Sequence, residues 1–403
     1  MFVYTLYANN MAVVSTDLLE EGQLKDCILI KENTTSPRDN RIWSKSEKKQ
    51  WVVGLFSGTT FLYAARTIMP LCVVAVSEEL HWDKTESGMV LSAFFWGYCM
   101  TQFLGGYLSD RVGGDVVLPI AACMWSLITF WTPWVAYLST DKHMALYIVV
   151  LSRVLLGAFQ GFHYPGMTSI ISRKVLENQR SFTYSVVAAG SYVGTLLTGS
   201  LGSVMMDEYG WQMPFYCIGM LGIAWMLLMR YMLIAKQRGR NVGLSIYGDS
   251  FNEKTNKAEA KTSVPWLILL TKPAFWCIFN MKDNIVNYFL CSLCKGWVFN
   301  VVPWVITIPS SVGSGYLADV MINSGFSVTF VRKFMESVAL LGTAFFLFLI
   351  SFASGYYMCL TCLALAVACC GFHSSGILVN PQDIAPRHAG SVFGIMNMAG
   401  AIP

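Results

Sequence analysis

The chain has 403 residues, of which 55% are hydrophobic and only 13% are charged. Soluble domains carry about 25% charged residues, so this composition and a mean hydropathy of +0.50 exclude an ordinary soluble protein. The net charge of +4 is small, and the basic residues lie in loops and not on one helical face. A nucleic-acid polymer is therefore not an expected partner.

Long apolar runs separated by short polar segments predict a series of membrane spans, because a helix crosses the bilayer with about 20 apolar residues. Residues 1–50 are polar and are predicted to be a tail outside the membrane. Between 266 and 294, the run Lys282–Asn284 interrupts the pattern, so a shortened seventh span is predicted there. The other predicted spans are 51–76, 87–108, 115–138, 144–171, 182–206, 213–235, 297–317, 335–353, 356–379 and a final run from Ala389.

The loops between these spans alternate in charge. One side carries the tail, the polar stretch after 235 and the basic residues Arg111, Arg173, Lys174, Arg180, Arg332, Lys333 and Arg387. The other side carries mainly acidic residues, such as Glu78, Glu79, Asp141 and Asp207. Since basic loops stay in the cytosol, the amino terminus is predicted to be cytosolic, and the lipid bilayer is the main environment of the chain.

Two motifs of the first half recur in order in the second half. Gly106–Asp110 (GYLSD) recurs as Gly315–Asp319 (GYLAD), at an offset of 315 − 106 = 209. Gly161–His163 (GFH) recurs as Gly371–His373, at an offset of 371 − 161 = 210. Such duplicated halves joined by a polar loop are typical of the major facilitator transporters.

The repeat predicts an all-α membrane protein with the major facilitator fold, built as two pseudo-symmetric six-helix bundles. The predicted parts are a cytosolic tail (1–50), a first bundle (51–235), a cytosolic central loop (236–264) and a second bundle (265–403). The offset places the eleventh helix near 389. We therefore expect the second bundle to be incomplete, with a short seventh helix, part of the eleventh and no twelfth, or about ten to eleven helices in all.

Two arginines lie deep inside predicted spans of the first half and are the leading candidates for a binding site, whereas Arg230 lies only 235 − 230 = 5 residues from the end of its span. Apart from Asp115, at the first position of span 115–138, no acidic residue lies within a first-half span, so Arg66 and Arg153 have no obvious carboxylate partner there. An arginine at the bilayer centre costs from about 2.5 to over 10 kcal/mol, which snorkelling or a backbone carbonyl could offset. The alternative is that both line a central pathway and bind an anion, since guanidinium stays charged and binds carboxylate or phosphate in a bidentate manner.

The repeat distinguishes these alternatives. At the equivalent positions of the second half stand Phe275 and Leu363, so the arginines break the duplication. A packing requirement could be shared by both halves, whereas an asymmetric charge is expected to serve a ligand. The sequence therefore favours a small organic anion as the partner of Arg66 and Arg153.

Other candidate residues belong to the repeated motifs. His163 and His373 are equivalent, so a packing role older than the duplication competes with a substrate contact or a proton relay; Tyr164, next to His163, is a further candidate contact. A set of motif residues is expected to form tight loops with a gating role: Gly106, Asp110, Arg111, Gly113, Gly315 and Asp319. No catalytic or metal-ligand motif is present in the sequence, so neither an enzyme nor a metal cofactor is expected.

Several longer motifs resemble the solute carrier 17 anion transporters. These motifs are Phe94–Tyr98 (FFWGY), Gly105–Gly114 (GGYLSDRVGG), Gly210–Gln212 (GWQ) and Lys295–Trp304 (KGWVFNVVPW). The resemblance covers about residues 50–403 and is strongest to the nucleotide-transporting branch of the family, through runs such as Ser181–Ser185 (SFTYS).

The resemblance implies alternating access between two bundles. It also implies nucleotides such as ATP as substrates, import into secretory or lysosome-related vesicles driven by a lumen-positive potential, and chloride as an activating ion. By position, Arg66 and Arg153 match the family's anion-binding arginines. No organic cofactor is implied.

Three departures from the family pattern bear on function. Leu91 and Gln160 stand where proton-coupled members have a histidine and an acid, which favours the nucleotide branch. The segment between Trp276 and Lys295 is about a dozen residues shorter than the family pattern. Two alternatives therefore stay open: a carrier of another anion such as glutamate, sialate or phosphate, or a truncated isoform that does not transport.

Overall fold

The computed structural model describes residues 42–139, 141–246, 297–352 and 355–399, and all regular elements in these ranges are helical. The helices are α1 (Lys45–Glu79), α2 (Lys84–Leu108), α3 (Gly114–Ala136), α4 (Lys142–Gln160), α5 (His163–Lys174), α6 (Arg180–Leu197), α7 (Ser203–Tyr209), α8 (Gln212–Ile246), α9 (Trp297–Asn323), α10 (Val328–Ile350), α11 (Tyr356–Cys370), α12 (Asn380–Ile384) and α13 (Ala389–Ala399). One π-helical turn, Ser109–Gly113, joins α2 to α3, and another, Thr198–Gly202, joins α6 to α7.

Polar residues at the ends of the apolar runs fix where the helices begin. Ser44 and Asp83 form capping boxes at the starts of α1 and α2, each with a glutamate three residues later. Such a box satisfies two free backbone N–H groups at once. Between these ends, seven helical stretches in the described ranges are long and apolar enough to cross a bilayer, and one of them, Lys84–Ala136, holds two of the predicted spans.

The helices exceed several predicted spans at their ends. α8 continues to Ile246, into the stretch predicted as loop. α10 begins at Val328 and not near 335, so Arg332 lies within the helix and not in a loop. The cause is that Arg332 is buried and paired with Asp383, so its charge does not mark a helix end. The predicted short seventh span and the chain after Ala399 lie outside the described residues.

Two predicted spans are broken at positions that the repeat makes equivalent. The span 144–171 divides at Gly161 into α4 and α5, and the span 356–379 leaves α-helical geometry at Gly371. Both glycines touch a neighbouring helix: a Cβ on Gly161 would overlap the Thr101 hydroxyl, and one on Gly371 would lie 2.9 Å from the backbone N of Ser311. The broken geometry is therefore part of the duplicated plan.

The described helices pack in two sets. The first half (α1–α8) contains the pairs α1–α6, α2–α4 and α3–α8, and the second half (α9–α13) contains α9–α11 and α10–α11. The halves meet where α6 packs on α9 and where α13 packs on α2 and α5. We call the basic face the end of the molecule formed by residues 109–113, 175–179, 324–327 and 385–388, and the acidic face the end formed by residues 80–83, 137–139, 141 and 210–211.

Candidate anion site and gate

The structure brings Arg66 and Arg153 together, although they lie on different helices. Arg66 is on α1 and Arg153 is on α4, and both guanidinium groups contact the ring of Phe94, at 4.8 and 5.4 Å from its centroid. The two positive charges repel each other. In the described ranges, neither arginine has a carboxylate within salt-bridge distance, so this repulsion is not balanced by an acidic side chain there.

Arg153 is only 2% exposed. Its Nε and Nη1 atoms make no hydrogen bond with any described residue. Leaving a buried charged donor without a partner is costly, so an arginine in this state is expected to serve a ligand. The side chain can offer two N–H donors to a carboxylate or phosphate group.

An aromatic cage of four rings surrounds the Arg66 guanidinium. Its members are Tyr63 at 5.5 Å, Phe94 at 4.8 Å, Phe95 at 5.2 Å and Tyr98 at 4.7 Å, measured from Arg66 Cζ to each ring centroid. Cation–π attraction stabilises each such contact by about 0.5–2 kcal/mol. The rings thus hold the cation in place without neutralising it, which leaves its charge available to an anion.

Close packing of α2 against α4 places the cage beside Arg153. A Cβ on Gly97 would lie 2.8 Å from the backbone N of Ala158, and one on Gly157 would lie 2.9 Å from the backbone N of Tyr98. Small residues at such crossings allow two membrane helices to approach closely. The sequence marks Phe94–Tyr98, which includes Gly97 and three of the four rings, as a family motif, but it does not show that these rings surround Arg66, because aromatic residues are common in all spans.

His163 and Tyr164 lie behind the arginine site. His163 is 3% exposed, and its Nε2 lies 2.9 Å from Thr59 Oγ1. Because the Thr59 hydroxyl donates to the carbonyl of Leu55, the histidine completes this pair as an Nε2–H donor. Tyr164 packs edge-on against Tyr63, at 6.2 Å between ring centroids. These contacts support the packing role for His163. Tyr164 contacts Tyr63, and Tyr63 in turn contacts Arg66.

His373 contacts a different partner from the arginines. Its Nδ1 lies 3.0 Å from Glu336 Oε1, a residue of α10 that the sequence analysis did not single out. The repeat-equivalent histidines therefore have different surroundings: Thr59 for His163 and a carboxylate for His373.

The repeated aspartates join the two halves at the basic face. Asp110 accepts hydrogen bonds from the backbone N of Gly390 at 3.1 Å and from the backbone N and Oγ of Ser391 at 2.7 and 2.6 Å. Gly390 and Ser391 form the first turn of α13, whose free N–H groups and dipole favour a negative charge. We call this contact the Asp110 clamp.

Asp319 makes the equivalent contact in the reverse direction. Its carboxylate accepts from the backbone N of Ser181 at 3.2 Å and of Phe182 at 2.9 Å, in the first turn of α6. The offset between Ser391 and Ser181 is 391 − 181 = 210, which matches the repeat. This Asp319 clamp and the Asp110 clamp are thus two repeat-equivalent contacts between the halves at the basic face.

The motif glycines permit these clamps. A Cβ on Gly106 would overlap the Gly390 carbonyl, and a Cβ on Gly315 would lie 2.8 Å from the Ser181 carbonyl. Gly113 adopts a φ of 111°, which side chains rarely accept. Arg111 is exposed and reaches only Tyr107, whereas Arg173 contacts Asp110; the sequence placed Arg173 among the loop charges without this role.

Two buried arginines add further contacts between the halves at the same face. Arg332 pairs with Asp383 at 2.8 Å and donates to Ser181 Oγ at 2.8 Å. Arg180 donates to the carbonyls of Ser172 at 2.8 Å and Gln382 at 3.2 Å. Those two carbonyls are repeat-equivalent, since 382 − 172 = 210.

A helical fold in two sets, with seven stretches in the described ranges that are long and apolar enough to cross a bilayer, defines a multi-pass membrane protein. The structure is similar to the proton:xylose symporter XylE, with a TM-score of 0.65 at 15% identity, covering 89% of this chain and 87% of that one. It is also similar to FucP in the outward conformation, with a TM-score of 0.56 at 15% identity, covering 86% of this chain and 88% of that one.

Residues 55–403 match the family model of the Major Facilitator Superfamily, and the chain belongs to this family. Human voltage-gated purine nucleotide uniporter SLC17A9 is 39% identical over 374 residues, covering 89% of this chain and 84% of that protein. The chloroplastic sodium-dependent phosphate transport protein 1 of Arabidopsis thaliana is 30% identical, covering 89% of this chain and 72% of that protein.

These comparisons confirm the predicted fold and the predicted relation to the solute carrier 17 anion transporters. The chain is an integral membrane protein of a transporter family and not an enzyme. A small anion is the class of substrate that this relation implies.

Proposed function

We propose that the protein transports nucleotides such as ATP from the cytosol into a secretory or lysosome-related vesicle, and that Arg66 and Arg153 bind the phosphate groups. The observation that carries this proposal is the buried guanidinium of Arg153, whose Nε and Nη1 have no partner in the described ranges and lie beside a second cation. Two adjacent cations suit a ligand with several negative charges better than one with a single charge.

The membrane potential supplies the driving force in this proposal. Each negative charge that moves through 100 mV gains about 2.3 kcal/mol, so a multiply charged nucleotide would accumulate in a lumen-positive vesicle without proton cotransport. The similarity to a voltage-gated purine nucleotide uniporter supports this mechanism. We include chloride as an activating ion in the proposal, because the resemblance to the family implies it.

In this proposal, formation and release of the two clamps close and open one side of the transporter during alternating access. We take the basic face to be cytosolic, in accordance with the positive-inside rule. The conformation with both clamps formed is then the one closed to the cytosol. Release of the Asp110 and Asp319 carboxylates from the first turns of α13 and α6 would open the cytosolic side, so ATP could reach the arginines from there.

The test is uptake of radiolabelled ATP by the full chain in liposomes with an inside-positive potential. Wild-type protein should accumulate ATP, and Arg153→Gln should lower uptake by at least about thirtyfold, since removal of one partner of a buried charged contact costs about 2–5 kcal/mol. Arg230→Gln is the matched control, because Arg230 is exposed on α8. Normal uptake by Arg153→Gln would refute the site.

A substrate panel in the same liposomes separates the alternatives. The similarity to a phosphate transport protein makes inorganic phosphate the first competitor to test, followed by glutamate and sialate. If the protein takes up phosphate but not ATP, its substrate is inorganic phosphate and not a nucleotide. If the protein is folded but accumulates none of these anions, the result supports the alternative of a truncated isoform that does not transport.

A further inference from the structure

A buried carboxylate–imidazole pair lies in the second half, and the proposed nucleotide site does not use it. Glu336, on α10, is 5% exposed. Its Oε1 and Oε2 lie 3.0 and 3.1 Å from His373 Nδ1. Only 15% of the His373 side chain is accessible. The two groups are thus shielded from water and in direct contact.

Such a pair can hold or release a proton as a unit. With one proton between them, the carboxylate and the imidazole have no net charge, whereas gain or loss of a proton leaves a net charge in a medium of low dielectric constant. The surrounding charges in the described ranges do not balance it. Arg332 is already paired with Asp383, and the nearby Cys370 is a thiol. Beyond these, Asp319 and Arg180 interact with Arg332.

Glu336 also fixes the non-helical segment that follows α11. Its Oε2 accepts a hydrogen bond from the backbone N of Ile377 at 3.3 Å. A Cβ on Gly376 would lie 2.7 Å from the same oxygen, so the backbone passes directly over the carboxylate. The Glu336 side chain therefore joins α10 to this segment through His373 and Ile377.

The same segment contacts the first half of the molecule. Ser374 Oγ lies 3.1 Å from Ser185 Oγ on α6, and the Ser375 carbonyl accepts from Arg332 at 2.9 Å. Arg332 in turn donates to Ser181, whose backbone N is held by the Asp319 clamp. Hydrogen bonds together with the backbone of residues 373–377 thus lead from Glu336 to the Asp319 clamp at the basic face.

We propose that Glu336 and His373 form a proton-binding site whose occupancy controls the closure of the basic face. When the pair loses this proton, a neutral imidazole faces a charged Glu336, and the attraction between opposite charges that joined α10 to this segment is lost. The segment that carries Ser374 and Ser375 is then held less firmly against α6. Loss of the proton as the pH rises is therefore expected to weaken the closed conformation.

The first experiment compares thermal unfolding of the purified full chain with that of the double variant Glu336→Gln/His373→Asn. The variant retains neutral hydrogen-bond donors and acceptors of similar shape, but it has no titratable side chain at positions 336 and 373. We expect the Tm of the wild type to fall relative to that of the double variant between about pH 5 and about pH 8, the range in which imidazole side chains in general change charge. A purely structural role would give a constant difference, which would overturn the proposal. His143→Asn is the control, because His143 is exposed near the acidic face.

The second experiment depends on the proposed function. It measures ATP uptake into liposomes at fixed potential at about pH 5.5 and about pH 8, and the ratio of the two rates should differ between wild type and double variant by at least about fivefold, the lower end of coupling between two sites. Equal ratios would overturn the link to the gate. If neither protein takes up ATP, the proposed function fails, and the Tm comparison alone decides whether the proton site exists.

Discussion

Asp110 and Asp319 stand 209 positions apart and make the same contact in opposite directions. Each carboxylate receives two backbone N–H groups from the first turn of a helix in the other half. Because both contacts lie at the basic face, two repeat-equivalent carboxylates join the halves there through helix ends. The motif therefore occurs in both halves because each copy binds a helix of the other half, and not because the packing within either half requires it.

The first prediction concerns the charge of these clamps. Asp110→Asn and Asp319→Asn each remove a charge–dipole contact that stabilises closure by about 1–2 kcal/mol. Hydrogen–deuterium exchange should become faster in the peptides that contain the first turns of both α13 and α6 in either variant, since the two clamps open together. Asp207→Asn, at an exposed position on α7, should leave exchange unchanged. Faster exchange at one clamp alone would show that the clamps act independently.

The second prediction uses two glycines of the same helix. Gly106→Ala would place a Cβ against the Gly390 carbonyl, whereas Gly88 has no atom within 4 Å of that position. Overpacking of this kind costs about 1–3 kcal/mol. ATP uptake by Gly106→Ala should therefore fall about tenfold, while Gly88→Ala should transport like the wild type. Equal uptake by the two variants would mean that α2 and α13 separate freely at this point.

The arginine site was predictable because a charge inside an apolar span has few explanations. Arg66 and Arg153 are conspicuous in the sequence, and the structure brings them to one ring, Phe94. The repeated aspartates were likewise conspicuous, and their role in a gate stays a prediction, whereas the residues that they bind could not be predicted. Sequence periodicity gives the spacing within one helix, but it does not show which helix ends meet across the molecule.

The Glu336–His373 and Arg332–Asp383 pairs show the limit of the sequence. Arg332 was interpreted as a loop charge, because basic residues near the end of a span usually lie in water. Its burial depends on Asp383, which is 51 positions away and whose proximity is a result of tertiary packing. Glu336 escaped attention for the same reason, since a carboxylate near a span end becomes informative only when its partner is known.

The third prediction concerns the aromatic cage. Phe94→Leu removes the ring that both guanidinium groups contact, and loss of one or two cation–π contacts should raise the KM for ATP by about threefold to thirtyfold. Tyr98→Phe is the comparison variant: it keeps the ring near Arg66 and removes the hydroxyl, which accepts from Asn397 and also interacts with Arg66. A KM that rises more in Tyr98→Phe than in Phe94→Leu would assign the main role to the contacts of this hydroxyl and not to the rings.

The last prediction concerns His388, which precedes α13 at the basic face. Burial lowers the pKa of His388 below its usual value of 6.5, and Arg173 and Arg387 lower this pKa further, while Asp110 opposes them. Below about pH 6.5 the unfolded chain therefore binds a proton that the folded chain resists, so the free energy of unfolding falls as the pH is lowered. Above this range both states hold a neutral imidazole, and His388 makes no pH-dependent contribution.

His388→Gln removes this titration and keeps a polar side chain of similar size. The Tm of the wild type should fall more steeply than that of the variant below about pH 6.5, and the two curves should run parallel above it. Parallel curves over the whole range would show that His388 titrates identically in the folded and unfolded chains. Because His388 adjoins the turn that Asp110 holds, the same comparison by hydrogen–deuterium exchange of the α13 amides should show the acid effect first at Gly390 and Ser391.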